Sequence, residues 1–219
     1  LLLFMAGEGL QAQSWQQQVD LSIQVTLDTK ANILLGEETI GYKNNSPDTL
    51  HFIWMHCWPN AYRNDKTAFS EQLLANNRTD FYFSNEEQRG YMNQLQFRID
   101  GQLANMEDHP LHQDILKLVL PKPLAPGTST IIQTPFRVKL PEIFSRMGHH
   151  NGFYAITQWY PKPAVYDKNG WHPMPYLDQG EFYNEFGNYS VSITVPEKFM
   201  VAATGLPQDT LQNQVGQSG

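Results

Sequence analysis

The sequence predicts an all-β domain, a sandwich or open sheet of mostly antiparallel strands with one short helix near residues 67–76. Three observations support this fold class. Apolar and polar residues alternate in many segments, which is typical of strands with one buried face. Clusters of Asn, Asp, Gly and Pro separate these segments, as turns do. Only one stretch has the apolar spacing and the end signals of a helix.

The strand predictions follow the alternation along the chain. Residues 19–27 give the clearest example, because every second residue there is apolar. The same criterion predicts strands at residues 34–42, 50–58, 95–99, 115–120, 130–138 and 189–196. We expect a tight turn at Asp100-Gly101 and a connector at residues 121–127. Because proline cannot donate to a strand ladder, Pro135 predicts an edge strand or a bulge.

The single helix is predicted at residues 67–76. Phe69 and Leu73 form its apolar side, and Asn76-Asn77 ends it. The sequence has neither an internal repeat nor a second group of core segments. We therefore predict one β domain over residues 15–219.

Composition excludes several classes of function. The chain has 219 residues, of which 41% are hydrophobic and 17% charged, as expected for a globular protein. Its net charge of −7 and the absence of a Lys/Arg run argue against a nucleic-acid partner. No apolar run approaches the length of a membrane span.

Cys57 is the only cysteine, which excludes an intramolecular disulfide and a Cys-rich metal site. Neighbouring residues of a strand point to opposite faces, so His56 is not placed to activate this thiol. We therefore interpret Cys57 as a buried structural residue.

Residues 1–14 are similar to the back half of a secretory signal, with an apolar core and a small-residue cleavage site near Ala12. The alternative is a frayed hydrophobic terminus. We expect a partial signal peptide over residues 1–14 and a periplasmic or secreted protein, which agrees with the low cysteine content.

The segment at residues 157–175 stands out as a candidate site. It combines aromatic rings, four prolines and hydrogen-bonding side chains in a stretch too irregular for a strand or a helix. Such a loop is costly to order, so we interpret it as a built surface.

Matches to a known family occur in order along the chain, at residues 46–50 (SPDTL), 60–69 (NAYRNDKTAF), 157–158, 166–172 (YDKNGWH), 180–183 (GEFY) and 195–205. Together they resemble the amino-terminal domain of the aminopeptidase N family of zinc metallopeptidases, in its bacterial branch. The resemblance implies a saddle-shaped β domain that packs on a thermolysin-like catalytic domain. That following domain carries H-E-x-x-H and a distant Glu, which hold zinc and activate water.

This chain contains no H-E-x-x-H motif. The resemblance therefore implies a non-catalytic amino-terminal domain that is inactive alone and has neither catalytic residues nor metal ligands of its own. We expect no cofactor in this chain and zinc in the downstream catalytic domain. The expected partners are that domain and a peptide substrate.

The resemblance also implies substrate-binding residues. Gln158 matches the Gln of a segment that helps to bind the amino end of the substrate, and a Gln carbonyl can accept from an ammonium. Two positions on, many relatives place a Glu or Gln that pairs with the α-amine, whereas this chain has Tyr160. Tyr160 and Trp159 either line an aromatic side-chain pocket or pack in the core, and both alternatives stay open.

Other polar motifs have simpler interpretations. His149-His150 and the pair His109 and His112 are interpreted as loop histidines, because neither pair closes a zinc site. Glu181 is interpreted as a loop anchor.

Glu185 is interpreted as a solvated charge.

Two further function classes stay open: a stand-alone β-sandwich that binds glycan or peptide through Trp159, Tyr160, Tyr166 and Trp171, and an assembly domain that uses an exposed edge strand.

Overall fold

The computed structural model describes residues 15–208, so the predicted signal at residues 1–14 lies outside the described residues. Strands dominate the described part of the chain, as the sequence predicts. In chain order they are β1 (Gln18–Asp28), β2 (Ile33–Lys43), β3 (Leu50–His56), β4 (Tyr91–Asn93), β5 (Arg98–Ile99), β6 (Gln102–Leu103), β7 (Asn105–Asp108), β8 (Ile115–Leu124), β9 (Ser129–Lys139), β10 (Gly148–His150), β11 (Phe153–Ala155), β12 (Lys162–Pro163), β13 (Val165–Asp167), β14 (Gly170–His172) and β15 (Tyr189–Thr194).

Two sheets form the body of the domain. The larger sheet has the order β15-β1-β2-β9-β5-β6, and β4 also pairs with β9. The smaller sheet has the order β12-β3-β8-β7. Two hairpins, β10-β11 and β13-β14, stand apart from both. All of these pairings are antiparallel except that of β1 with β15.

The hydrophobic core lies between the two sheets. Ile40 and Ile132 of the larger sheet are directly paired and fully buried. Ile53 and Leu118 are paired in the smaller sheet, are equally buried and belong to the same apolar cluster. The predicted all-β sandwich is therefore confirmed.

The predicted helix is confirmed as α1 (Ala68–Ala75). Thr67 caps it, because its side-chain oxygen accepts a hydrogen bond from the backbone N–H of Ser70 at 3.3 Å. Phe69 anchors the helix, with its ring centroid 4.7 Å from that of Tyr62 and 5.1 Å from that of Phe81. No helix within residues 15–208 is long and apolar enough to cross a membrane.

Local turn chemistry explains two boundaries. Asp100 and Gly101 both have positive φ, 49° and 82°, so they form the predicted tight turn between β5 and β6. The third strand ends at His56 rather than residue 58, because residues Trp58–Tyr62 form a 3-10 helix. Pro59 lies near the start of this helix.

Two strand predictions are wrong. The connector predicted at residues 121–127 overlaps β8, which continues to Leu124 because that residue is buried and pairs with Leu50. Pro135 lies in a central strand, β9, rather than an edge strand. It is tolerated because it falls between Gln133, which pairs with β5, and Arg137, which pairs with β4.

The β15 edge leaves part of the core face uncovered. Tyr189, Val191 and Ile193 pair in register with core residues of β1 and therefore project to the same face. Their exposed fractions are 48%, 43% and 39%, whereas their β1 partners are 3%, 1% and 6% exposed. The second layer of the sandwich does not reach this edge within the described residues.

Two glycines of β2 test how tightly the core is packed. A Cβ on Gly36 would lie 2.3 Å from Cζ of Phe136, a ring that is 1% exposed, so the close-packed ring would have to shift. We expect Gly36→Ala to lower the free energy of unfolding by roughly 1–3 kcal/mol.

Gly41→Ala is the matched control, because its Cβ would meet no atom closer than 3.9 Å. It should change the free energy by less than about 1 kcal/mol. Urea denaturation measures both variants, and equal losses would contradict the packing described for Gly36.

Candidate functional site

The sequence-predicted site residues lie on the loop between β11 and β12. Gln158 has a φ of 53°, a left-handed conformation that side-chain-bearing residues rarely adopt. The loop ends where β12 joins the smaller sheet, with Lys162 paired to His56. This pairing fixes the end of the loop against the core.

The Gln158 side chain is bound by its own chain. Lys162 is only 5% exposed, and its Nζ donates a hydrogen bond to Oε1 of Gln158. The Lys162 Nζ also lies 4.1 Å from the ring centroid of Trp58 and 5.5 Å from that of Tyr160, within cation–π range. The carbonyl that the resemblance assigns to a substrate ammonium thus already accepts from an ammonium.

Trp159 and Tyr160 are both partly buried against the core. The Trp159 ring lies 5.9 Å from that of Phe136 and 5.1 Å from that of Tyr160. Burial, with a further contribution from the phenol of Tyr189, raises the pKa of Tyr160, so its hydroxyl stays neutral. The structure therefore brings all three predicted residues together, and each keeps part of its surface exposed.

Glu38 is a site residue that the sequence analysis missed. It lies on β2 in line with Gly36 and Ile40, on the core face, and is 2% exposed. Neither carboxylate oxygen has a hydrogen-bond partner among residues 15–208. The available signal was the alternation itself, which places this charge at a position that should be apolar.

Glu38 and Lys162 form a coupled pair beneath the loop. Burial raises the pKa of Glu38 well above its usual range, and the attraction of Lys162 opposes that shift. Burial likewise lowers the pKa of Lys162 to about 7, and Glu38 opposes that shift. Because an isolated buried charge is costly, each residue reduces the cost of burying the other.

His56 completes the floor of the site as a neutral side chain. Its ring stacks on Trp58, with centroids 4.4 Å apart, and its Nε2 accepts from the backbone N–H of Met174 at 3.1 Å. Burial, and to a lesser degree Lys162, lowers the pKa of His56 to about 3. Cys57 is 1% exposed, and burial raises its pKa, which confirms the interpretation as a buried structural thiol.

A second polar cluster lies around the β13-β14 hairpin. His172 Nε2 and Asp167 Oδ1 are 2.8 Å apart, although no well-aligned hydrogen bond joins them. Glu185 is 7% exposed and accepts from the backbone N–H of Tyr166 at 3.2 Å. The interpretation of Glu185 as a solvated charge is therefore wrong, because the hairpin buries it and raises its pKa to about 7.

The two histidine pairs that the sequence singles out differ in position: His109 and His112 lie in a loop as predicted, whereas His149 and His150 lie on a short strand. The rings of His109 and His112 stack with centroids 5.0 Å apart, and Nδ1 of His109 accepts from the backbone N–H groups of Leu111 and His112. His149 and His150 are neighbours on β10. Within residues 15–208, no three His, Cys, Asp or Glu side chains are grouped to hold a metal ion.

Comparison with known proteins gives matches at the level of fold. No protein-family model and no characterised protein matches the sequence. The crystal structure of an M1 zinc metallopeptidase mutant from Deinococcus radiodurans, bound to a Tyr-Ser-Ala substrate, matches with a TM-score of 0.50 and 14% identity, over 87% of this chain and 35% of that chain. Another M1 zinc metallopeptidase structure from that organism matches with a TM-score of 0.44 and 15% identity, over the same shares of the two chains.

This chain thus spans about a third of the length of the metallopeptidases that it matches. The first match supports, at the level of fold, the amino-terminal β domain that the sequence resembles. Such low identity carries no information about the chemistry of individual residues.

The buried His56 makes stability depend on pH. Its pKa is about 3 in the folded chain and ordinarily 6.5, so the unfolded chain binds more protons between these values. The contribution of neutral His56 to the free energy of unfolding is therefore fully present above pH 6.5 and is lost as the pH falls toward 3. We expect the loss to be about 1.4 kcal/mol per pH unit.

His56→Gln keeps a hydrogen-bond acceptor but does not titrate, so it isolates this effect from the other titrating groups. The free energy of unfolding of the natural chain, minus that of the variant, should fall by roughly 3 kcal/mol between about pH 7 and about pH 4.5. Urea denaturation across this range measures the difference. Parallel curves would show that His56 is not held neutral.

Proposed function

We propose that this chain is the non-catalytic amino-terminal β domain of an exported bacterial zinc metallopeptidase related to the aminopeptidase N family. In this role it packs on a downstream catalytic domain and forms one wall of the substrate cleft. The observation that supports this most directly is the fold match, which covers 87% of this chain but 35% of a solved metallopeptidase. The ordered sequence matches at residues 46–205 support the same conclusion.

The uncovered core face at β15 supports packing on a further domain. Val191 and Ile193 lie on the core side of the sheet yet remain about two-fifths exposed. Met200 and Leu206, which follow in the chain, are 90% and 86% exposed. Covering apolar surface contributes about 25 cal/mol per Å², so a domain placed against this edge would be stabilised there.

The candidate site borders this face. The ring centroid of Tyr160 lies 6.4 Å from that of Tyr189, the first residue of β15. A domain that covers β15 would therefore also approach the loop that carries Gln158 and Trp159. A loop at the rim of an interdomain contact is well placed to form the wall of a cleft.

A stand-alone glycan- or peptide-binding module has less support. A sugar platform needs free ring faces, but Tyr166 and Trp171 pack together with centroids 4.9 Å apart. Trp171 also packs on Phe52 at 5.9 Å, whereas Trp159 and Tyr160 pack on each other. The rings that the module would use are therefore largely engaged in contacts with other rings.

The proposal predicts what the longer gene product contains. We expect the reading frame that includes this chain to encode H-E-x-x-H and a distant Glu downstream, and the purified full-length protein to bind one zinc ion per chain. Metal analysis and a peptidase assay before and after chelation measure this. A complete frame without the motif, or a metal-free active protein, would contradict the proposal.

The proposed wall residue Gln158 can be tested in that full-length protein. We expect Gln158→Ala to lower kcat/KM on short peptides by at least about tenfold, because it removes a polar contact with the substrate. Gln133→Ala, on the outer face of the larger sheet, is the matched control and should leave kcat/KM unchanged. Unchanged kinetics with Gln158→Ala, in a protein with a normal unfolding midpoint, would make Gln158 structural.

A further inference from the structure

We propose that Lys162 is a positioning residue that decides which end of the Gln158 amide a substrate meets. Its ammonium holds the carbonyl oxygen, which leaves the amide NH2 for a hydrogen-bond acceptor on the peptide, a carbonyl or a carboxylate. The identity of the ligand rests on the proposed function. The orientation of the amide rests on the contacts of this chain alone.

The surroundings of Lys162 determine that orientation. The side chain is buried between the rings of Trp58 and Tyr160, and Oε1 of Gln158 is its one hydrogen-bond acceptor among the described residues. An ammonium has only hydrogens to offer, so the amide must turn its oxygen inward. The opposite orientation would place an NH2 group against an NH3⁺ group.

Glu38 favours the charged form of Lys162 without competing for its hydrogen bonds. The two side chains attract each other electrostatically, but no ion pair within 4 Å joins them in the described structure. The other titratable groups around Lys162 are His56 and Tyr160, and both stay neutral. Glu38 is therefore the one group of this set that can supply negative charge opposite the ammonium.

The backbone of Gln158 is consistent with a constrained role. A non-glycine residue at a φ of 53° is strained, and such strain persists where the surroundings fix the residue. Here the constraint comes from the hydrogen bond to Lys162, four residues on. The loop thus closes on itself through a side chain that is anchored in the core.

This arrangement selects the chemistry of the ligand. Nε2 of Gln158 donates to no residue in the described part of the chain, and the bond from Lys162 to Oε1 polarises the amide so that its N–H groups donate more strongly. A ligand ammonium at the same oxygen would meet a second positive charge. Because Tyr160 stands where the resemblance places a carboxylate or an amide, the loop offers an α-amine no counter-charge.

The orientation can be tested in the 219-residue chain by NMR of the Gln158 side-chain NH2. Lys162→Met keeps the length of the side chain but removes its donors. We expect it to shift the Gln158 NH2 signals, because the amide loses the hydrogen bond that fixes its oxygen and can turn over. Lys117→Met is the matched control, because Lys117 also lies over a ring, that of Phe52 at 4.9 Å, but does not contact Gln158.

Unchanged Gln158 signals in a folded Lys162→Met variant would overturn the inference. If the variant does not fold, a pH titration of the natural chain tests the orientation of Gln158 instead. Its Gln158 NH2 signals should then shift as the pH is raised until Lys162 loses its proton, and signals that stay constant after that step would overturn the inference. A Glu38→Gln variant does not titrate at residue 38. It therefore separates the titration of Lys162 from that of Glu38.

The specificity is tested in the full-length protein with a peptide and its N-acetylated counterpart. We expect the natural protein to hydrolyse the two with kcat/KM values within about threefold of each other. Lys162→Met should raise the ratio of free to acetylated peptide by about tenfold, because the Gln158 oxygen becomes available to an α-ammonium. A merely structural change would reduce kcat/KM for both peptides together. An unchanged ratio of the two values would therefore overturn the proposed specificity.

Failure of the proposed function gives a different result. A full-length protein that cleaves neither peptide, with or without added zinc, would contradict a peptidase role. The NMR comparison of the natural chain and Lys162→Met would still confirm or overturn the orientation of Gln158.

Discussion

The structure depends on the continuous pairing of β2 with β1 on one side and β9 on the other. All eleven residues of β2 pair in both directions, so its core-facing residues have fixed neighbours. A slip of one residue would turn every side chain of β2 to the opposite face. The same register that buries Ile40 and Tyr42 also carries Glu38 into the core, next to the loop of the candidate site. The polar centre of the domain is therefore a consequence of strand register.

That polar centre links the core to the exposed loop. Trp58 connects its parts, because its ring stacks on His56 and lies beneath the ammonium of Lys162. Buried charges rarely add stability when compared with apolar residues of the same size, but they can fix one arrangement among several. Here the arrangement that they fix is the direction of the Gln158 amide, at the point where the loop meets solvent.

The site and the uncovered core face belong to one region of the molecule. Tyr160 lies beside Tyr189, and Tyr189 begins the edge strand whose apolar residues stay partly exposed. A partner domain at this edge would complete the core and approach the polar loop in the same step. The fold match covers 87% of this chain and 35% of the longer chain.

Local chemistry made much of the fold predictable from the sequence. Alternating residues determined the main strands, Thr67 and Phe69 determined the helix, and Asp100-Gly101 determined its turn, since each signal lies within a few neighbouring residues. Long-range pairing decided the rest. Pro135 is tolerated in a central strand because two short strands leave a gap opposite it, and Glu185 is buried because a distant hairpin covers it. The sequence by itself determined that Gln158, Trp159 and Tyr160 share one irregular loop. Only the tertiary structure decided which of its atoms are free, because Glu38, Trp58 and Lys162 meet through sheet pairing that no local pattern records.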